Sequence, residues 1–322
     1  MRILLTGKNG QLGWELRRHL ERDYNVLALG REDIDFRDTR FLASTIKYLP
    51  RLDLIVNAAA YTDADKAERE PFAAEAVNSE AVAILAGEAA RRKIPMIHFS
   101  TNYAFSGRRS KVPYRESDLL NPVSVYAKTK VDGELRIRRI LETHLTFRLS
   151  GLYGTHHRNF FTEILARNRK GTAPRVADDQ IISPNWTPLV AEAIADVINQ
   201  YFWGEPITWG TYHLSGSGST TPYEFARLIC EKVNDVWGGN MPLPVASRKL
   251  QAAARRPRYS VLDSTRFYAA FRHTLPDWRE QFVHFFGGLD PKVQTAAERW
   301  QTADGRIKVP SPLGERVRVR VV

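Results

Sequence analysis

The chain has 322 residues, 43% hydrophobic and 26% charged, with a net charge of +11 and one cysteine, Cys230. This is the composition of a globular protein: the lone cysteine excludes an internal disulfide framework, and no apolar run approaches the ~20 residues that cross a bilayer. The basic residues are scattered through RRHLER, ARRK, SGRRSK, RIRR and AARRPR, without zinc-finger spacing or an RNA-binding signature, so a solvated basic surface is the first reading and an anionic small-molecule substrate the second, with neither nucleic acid nor membrane expected as partner.

The opening MRILLTG reads as a first strand and not as a signal peptide, which with the single thiol sets a cytoplasmic expectation. It runs into TGKNGQLG, where Gly7, Gly10 and Gly13 follow the spacing G-x-x-G-x-x-G. Glycines between a strand and an amphipathic helix allow a tight turn and close approach of backbone N–H groups to a pyrophosphate. The helix opening at Gln11 and Leu12 would point its positive end at that group.

The second strand, NVLAL, ends in Gly30 and Arg31, with Glu32 and Asp33 directly after. A guanidinium matches a 2′-phosphate in two-pronged fashion, so Arg31 favours NADPH, with NADH as the other allowed cofactor. Asp35, next to Phe36, is placed to accept from an adenine amino group. After the helical TRFLASTIKYL, the third strand closes LDLIVNAAAYT, and the small residues Ala58, Ala59 and Ala60 would let a flat cofactor lie against the backbone. A long helical pattern, PFAAEAVNSEAVAILAGEAARRK, leads to the fourth strand, PMIHFSTNYAF, with Ser100 and Thr101 at its end.

The next helix carries VYAKTK, and there Tyr126 and Lys130 share one face. Taken alone, that pair is better explained as an exposed helix with a tyrosine and some lysines. Ketone reduction by a nicotinamide needs a hydrogen bond to the carbonyl and an acid for the forming alkoxide. Tyrosine is a sluggish acid at neutral pH unless a cation beside it favours the phenolate. Ser/Thr, Tyr and Lys arrive in the order this chemistry requires. THLTFRLSGLYG reads as another strand. Strand–helix alternation of this kind gives an α/β fold, a Rossmann-type doubly wound parallel sheet over 1–155. Residues 156–300 read as a smaller, mostly substrate-binding C-terminal lobe interleaved with the last sheet strands, and the Arg/Val-alternating 301–322 as a tail without assigned role. Cys230, on the apolar stripe FARLIC, reads as a buried hydrophobe, and the eight histidines show no metal spacing.

TGKNGQLG, NAAAYTDADKAE, STNYAFSG, PVSVYAKTK and AARRPRYSVLD together resemble the motifs of extended short-chain dehydrogenase/reductases and, more narrowly, the dTDP-4-dehydrorhamnose reductase family, from residue 1 to about 285. The resemblance implies a Rossmann domain with a small sugar-nucleotide domain. It also implies reduction of the 4-keto group of dTDP-6-deoxy-L-lyxo-4-hexulose to dTDP-L-rhamnose with NADPH or NADH. Under it Thr101 orients the keto oxygen, Tyr126 donates the proton, and Lys130 binds the nicotinamide ribose and tunes Tyr126. Arg255 and Arg256 of the A-R-R-P segment would meet the nucleotide diphosphate, and a homodimer is an open assembly. Two positions depart from the pattern where the hexose would sit: Asn102 replaces the acid of S-T-D-Y-V-F, and Gly151 stands where R-T-S-W places an aromatic ring. Another sugar-nucleotide 4-ketoreductase or epimerase, or a non-catalytic NADP-binding regulatory subunit, remain the competing readings.

Overall fold

The computed structural model describes residues 1–108, 112–237 and 239–288; the Arg/Val tail lies outside them. The chain alternates from the start: β1 (Arg2–Thr6), α1 (Gln11–Leu20), β2 (Asn25–Leu29), α2 (Thr39–Lys47), β3 (Leu54–Asn57) and α3 (Ala64–Arg69). There follow α4 (Pro71–Glu75), a π-helical turn (Ala76–Glu80), α5 (Ala81–Arg92), β4 (Met96–Thr101), α6 (Val125–Ile140), β5 (His144–Leu149), β6 (Leu152–Tyr153) and α7 (Phe160–Arg169). The remainder is β7 (Arg175–Ala177), β8 (Asn185–Trp186), α8 (Thr187–Phe202), β9 (Gly210–Leu214), α9 (Pro222–Trp237), β10 (Leu243–Val245), α10 (Thr265–Phe271) and α11 (Trp278–Gly287).

Six parallel strands form the main sheet in the order β2-β1-β3-β4-β5-β9. The order reverses between β1 and β3, and crevices at such switch points hold ligands in open α/β sheets. Strands such as Leu54–Asn57 are buried on both faces, which is why they read as unbroken apolar runs. One face is covered by α1 and α8, with Leu12, Leu16, Ile194 and Ile198 in its core. The other is covered by α2, α5 and α6, with Leu42, Ile46, Leu85 and Ile137. A separate core of Phe161, Leu165, Phe225, Ile229, Trp278 and Phe285 holds α7, α9 and α11 together.

The sixth strand comes from WGTYHLSG, a stretch whose glycine and tryptophan suggest loop. Gly210–Leu214 nevertheless pairs with Leu145–Leu149 in register, because β5 offers an open edge and His213 finds buried partners there. The long helical pattern of residues 71–92 is likewise interrupted by its π turn. That turn aims Asn78 inward, where Oδ1 accepts from Tyr61 N at 2.8 Å and Nδ2 donates to Thr129 Oγ1 at 3.1 Å. Such bulges re-aim side chains inside helices.

Helix α6 is set at both ends and in its middle. Ser124 caps it by accepting from Ala127 N at 3.3 Å, and Glu68 of α3 accepts from Val125 N at 2.9 Å. In the middle, a methyl group on Gly133 would sit 2.2 Å from the Asn78 carbonyl oxygen. Gly133→Ala therefore forces α6 off the π turn. We expect a loss of ~1–3 kcal/mol in urea unfolding, the usual cost of overpacking, with catalytic turnover falling as Tyr126 and Lys130 shift.

Candidate active site

A cleft of about 2180 Å³ runs from the glycine loop past the ends of β3 and β4 to the loop carrying Arg255 and Arg256. At its nucleotide end, Gly7 adopts φ +76°, and a methyl group there would meet Ala59 N at 2.5 Å and Ala58 O at 2.6 Å. Only glycine brings the β1–α1 loop this close to the three alanines after β3. Gly10 donates its N–H to Gly7 O at 2.9 Å and gives α1 no side-chain cap. The first N–H groups of α1, at Gln11 and Leu12, thus lie at the wall of the cleft, and the Gln11 Oε1 atom is buried without a partner. An uncapped helix start and a positive-φ glycine fit a dinucleotide pyrophosphate.

At the tip of β2 the acids are occupied. Lys8 Nζ contacts Asp33 Oδ2 at 2.5 Å and Glu32 Oε1 at 3.2 Å, while Asn9 Nδ2 donates to both Glu32 oxygens at 2.9 and 2.8 Å. These bonds hold both carboxyls below their ordinary range, and Arg31 is left exposed at the cleft. Asp35 is gripped by Arg37, with Nε at 3.0 and 2.9 Å from its two oxygens, so its carboxylate is largely committed; Phe36 is buried beneath it. Arg37 gives this rim a second exposed guanidinium that the sequence reading did not single out, although it stands six positions after Arg31.

The chemistry-bearing residues meet at the end of β4. Ser100 and Thr101 point to opposite faces: Ser100 Oγ bonds Glu134 in the core, while Thr101 faces the cleft and accepts from Tyr103 N at 3.1 Å. Tyr126 comes from the first turn of α6 and lines the same part of the cleft as Thr101. Tyr103 packs edge-on against Tyr126, ring centroids 6.2 Å apart. Burial pushes the Tyr126 phenol up to about 12, and Thr101 offsets this only in part. Lys130, one turn further on, is 2% exposed; its Nζ donates to Phe99 O at 2.6 Å and lies 3.3 Å from His98 Nε2. Its amine is thus bonded to β4 behind the phenol. Burial pulls it down to about 8, against a smaller opposing pull from Glu134.

On the sugar side, Asn102 is 4% exposed, and its amide donates to Ser150 Oγ at 3.2 Å and Ser260 O at 3.1 Å. It joins three chain segments at the cleft floor. Gly151 is exposed, and a methyl group there would meet nothing within 4 Å. Arg256 pairs with Asp65 of α3 at 2.7 Å, whereas Arg255 is exposed. Further basic residues that sequence reading passed over, Arg158, Arg167, Arg175, Arg248 and Arg258, also line the cleft. They come from separate loops and helices, so no local motif marks them. Among the described residues no cluster of His, Cys, Asp or Glu could hold a metal ion, and no helix is long and apolar enough to cross a membrane.

The lowered Lys130 affinity makes stability pH-dependent in a defined window. Below about pH 8 the lysine is charged in folded and unfolded chains alike, and the burial penalty is fully present. Between about 8 and the ordinary 10.5 the unfolded chain holds the extra proton, so stability rises with pH. Against Lys130→Met, which lacks this group, wild-type stability should gain at most about 1.4 kcal/mol per pH unit across that window in urea titrations.

The chain matches the family model described as RmlD substrate binding domain over residues 1–289. It is 36% identical over 291 residues to the dTDP-4-dehydrorhamnose reductase of Escherichia coli K12, covering 87% of this chain and 95% of that protein. A probable dTDP-4,6-dihydroxy-2-methyloxan-3-one 4-ketoreductase of Streptomyces antibioticus is 35% identical over 289 residues, covering 89% and 95%. Among solved structures, a dTDP-4-dehydrorhamnose reductase from Clostridium acetobutylicum matches with a TM-score of 0.79 at 27% identity, covering 89% of this chain and 99% of that one. One from Bacillus anthracis, solved in complex with NADP, matches with a TM-score of 0.77 at 28% identity, covering 88% and 98%. The family model and the relatives agree over nearly all of the described fold, and the chain belongs to the dTDP-4-dehydrorhamnose reductase family.

Proposed function

We propose that this protein reduces the 4-keto group of a nucleotide-linked 6-deoxyhexose with NADPH, turning dTDP-4-dehydrorhamnose into dTDP-L-rhamnose. The observation that carries the reading is the convergence of Thr101, Tyr126 and Lys130 on one cleft whose other end, built by the glycine loop, fits a dinucleotide. The nucleotide-binding set is Gly7, Gly10, Gln11, Leu12, Arg31 and Ala58–Ala60, with Arg31 and Arg37 placed for a 2′-phosphate. When bound, the reduced nicotinamide supplies the hydride that goes to the keto carbon.

The chain's own residues do the rest. Thr101 donates to the keto oxygen and fixes its direction. Tyr126 gives its proton to that oxygen as negative charge develops. Because burial raises its pKa to about 12, the phenol is fully protonated at neutral pH and ready to act as an acid. Tyr103 walls the reacting centre. The exposed arginines of the lobe attract and hold the substrate diphosphate. A cytoplasmic setting and a homodimer belong to the same reading, the former supported by the buried free thiol of Cys230.

Open space at Gly151 favours a second reading, in which the same chemistry serves a sugar larger or differently substituted than 4-dehydrorhamnose. Following NADPH absorbance against dTDP-, UDP- and GDP-linked 4-keto-6-deoxyhexoses separates the two. We expect oxidation with a dTDP-linked substrate, and none with any of the panel would refute the reductase assignment. Tyr126→Phe should lower kcat about 10²–10⁴-fold, the typical range for general acid catalysis, while NADPH binding stays within about twofold. Arg31→Ala should weaken NADPH about tenfold or more and leave NADH nearly unchanged, since a charged hydrogen bond contributes about 1.5–3 kcal/mol.

A further inference from the structure

After β10 the chain runs along the cleft as a strap, residues 247–256, with one short 3₁₀ turn (Ser247–Lys249) and no strand. At its lobe end the strap is tied to Asp179, just after β7. Asp179 Oδ1 accepts from Ser247 N at 2.8 Å, and Oδ2 from Ser247 Oγ at 3.0 Å. At its other end it is tied to Asp65 of α3, in the nucleotide half. Asp65 Oδ1 accepts from Ala254 N at 2.8 Å, and Oδ2 from Arg256 Nη2 at 2.7 Å. Between the two aspartates, among the described residues, 248–252 hydrogen-bond only within their own turn: Lys249 N donates to Ala246 O at 2.8 Å and Leu250 N to Ser247 O at 3.0 Å. Arg248, Lys249 and Gln251 are exposed there and line the cleft. A stretch with so few ties opens locally at small cost, so its course along the cleft depends on its two ends.

The chain beyond the strap is fixed by other contacts. Pro257 and Arg258 press on Gly107, where a methyl group would meet Pro257 Cβ and Arg258 N at 2.6 Å each, and Arg258 O accepts from Ile181 N at 2.7 Å. Asp65 therefore adds the tie that decides where 248–253 lie. Its setting is firm. Asp63 caps α3 by accepting from Lys66 N at 2.9 Å. Glu68, three positions after Asp65 and on the same side of α3, accepts from Val125 N at the start of α6. One short helix thus holds the strap and the helix of Tyr126 in a common frame. The Asp65–Arg256 pair also differs from an ordinary surface ion pair. Its side chains are only 34% and 29% exposed, and a backbone N–H shares the carboxylate.

We propose that Asp65 is a positioning residue for the substrate: by binding the Ala254 N–H and the Arg256 guanidinium it holds the strap against α3, with Arg248, Lys249 and Arg255 along the path of an anionic ligand. That the ligand is a nucleotide sugar rests on the reductase reading. Without this tie only a fraction of molecules has the strap in place, and apparent substrate affinity falls by that fraction. The glycine loop, Arg31 and the Thr101–Tyr126–Lys130 set make no contact with the strap's ties, so cofactor binding and proton transfer stay intact once substrate is bound.

Hydrogen exchange and steady-state kinetics on the full chain test this. In nucleotide-free Asp65→Ala, the amides of residues 249–256 should exchange about tenfold faster than in the wild type or more, the scale of a lost charged hydrogen bond, while those of β1 and β4 stay unchanged. The KM for a dTDP-linked 4-keto-6-deoxyhexose should rise about tenfold, with kcat within about threefold and the NADPH Kd within about twofold. General damage to the fold would move all three. Asp65→Asn keeps an acceptor for Ala254 N–H and loses the charge opposite Arg256. It should fall between, and it decides alone if Asp65→Ala does not fold. Unchanged exchange in the strap overturns the inference. So does a KM that stays level or falls, as it would if a released Arg256 gained the substrate diphosphate. Should the wild type oxidise no NADPH with any 4-keto sugar, the reductase reading fails by itself. Strap exchange and calorimetric dTDP binding, expected about tenfold weaker in the variant, then judge the role of Asp65.

Discussion

Glu134 and Arg148 meet where water does not reach, and the geometry of the site hangs on that pair. Arg148 binds both carboxylate oxygens, Ser100 adds a hydroxyl to one of them, and the far side of the guanidinium lies 3.4 Å from His213. One ion pair thus ties β4, β5, β9 and α6 at a single point. Burying two charges costs several kcal/mol apiece unless partners are complete, and here each has its partners. The consequence is rigidity. Thr101 is one residue beyond Ser100, Lys130 lies one turn and Tyr126 just over two turns before Glu134, so all three are positioned by elements that this contact ties together.

The nucleotide half of the cleft was legible in the sequence because its signals are local. A strand followed by TGKNGQLG, Arg31 at a strand tip and three alanines after β3 are each contained in one short stretch. The Y-x-x-x-K spacing belongs with them, since a helix alone brings Tyr126 and Lys130 to one face. What the sequence could not show depends on distant partners. The acids Glu32 and Asp33 gave no sign that Lys8 and Asn9 would occupy them. His98 looked like one polar residue in an apolar strand, and only the fold sets it between Asn57 and Lys130. Gly210–Leu214 is too short and too polar to announce a strand, and becomes one because β5 presents an open edge.

The sugar half was less legible for a related reason. Its walls are drawn from many separate segments, and its residues are chosen by what lies across the cleft. Asn102 stood out as a departure from the family pattern, and its amide is spent on Ser150 and Ser260, bracing the cleft floor. Gly151, the other departure, does open space. Arg256 is paired with Asp65, which the sequence did not announce, while Arg255 and Arg258 are more exposed.

The placement of β9 also bears on how the chain comes into being. β5 is complete at Leu149, but its outer neighbour is not made until residues 210–214. During synthesis the nucleotide half would therefore stand with a bare sheet edge, and Arg148 would lack the strand that seals it from solvent. The intervening residues build α7 and α8, so the outer edge of β5 is covered only after those helices exist. A fragment ending near residue 155 would carry every nucleotide-binding motif and still expose a sticky strand, which marks this protein as one whose two halves must mature together.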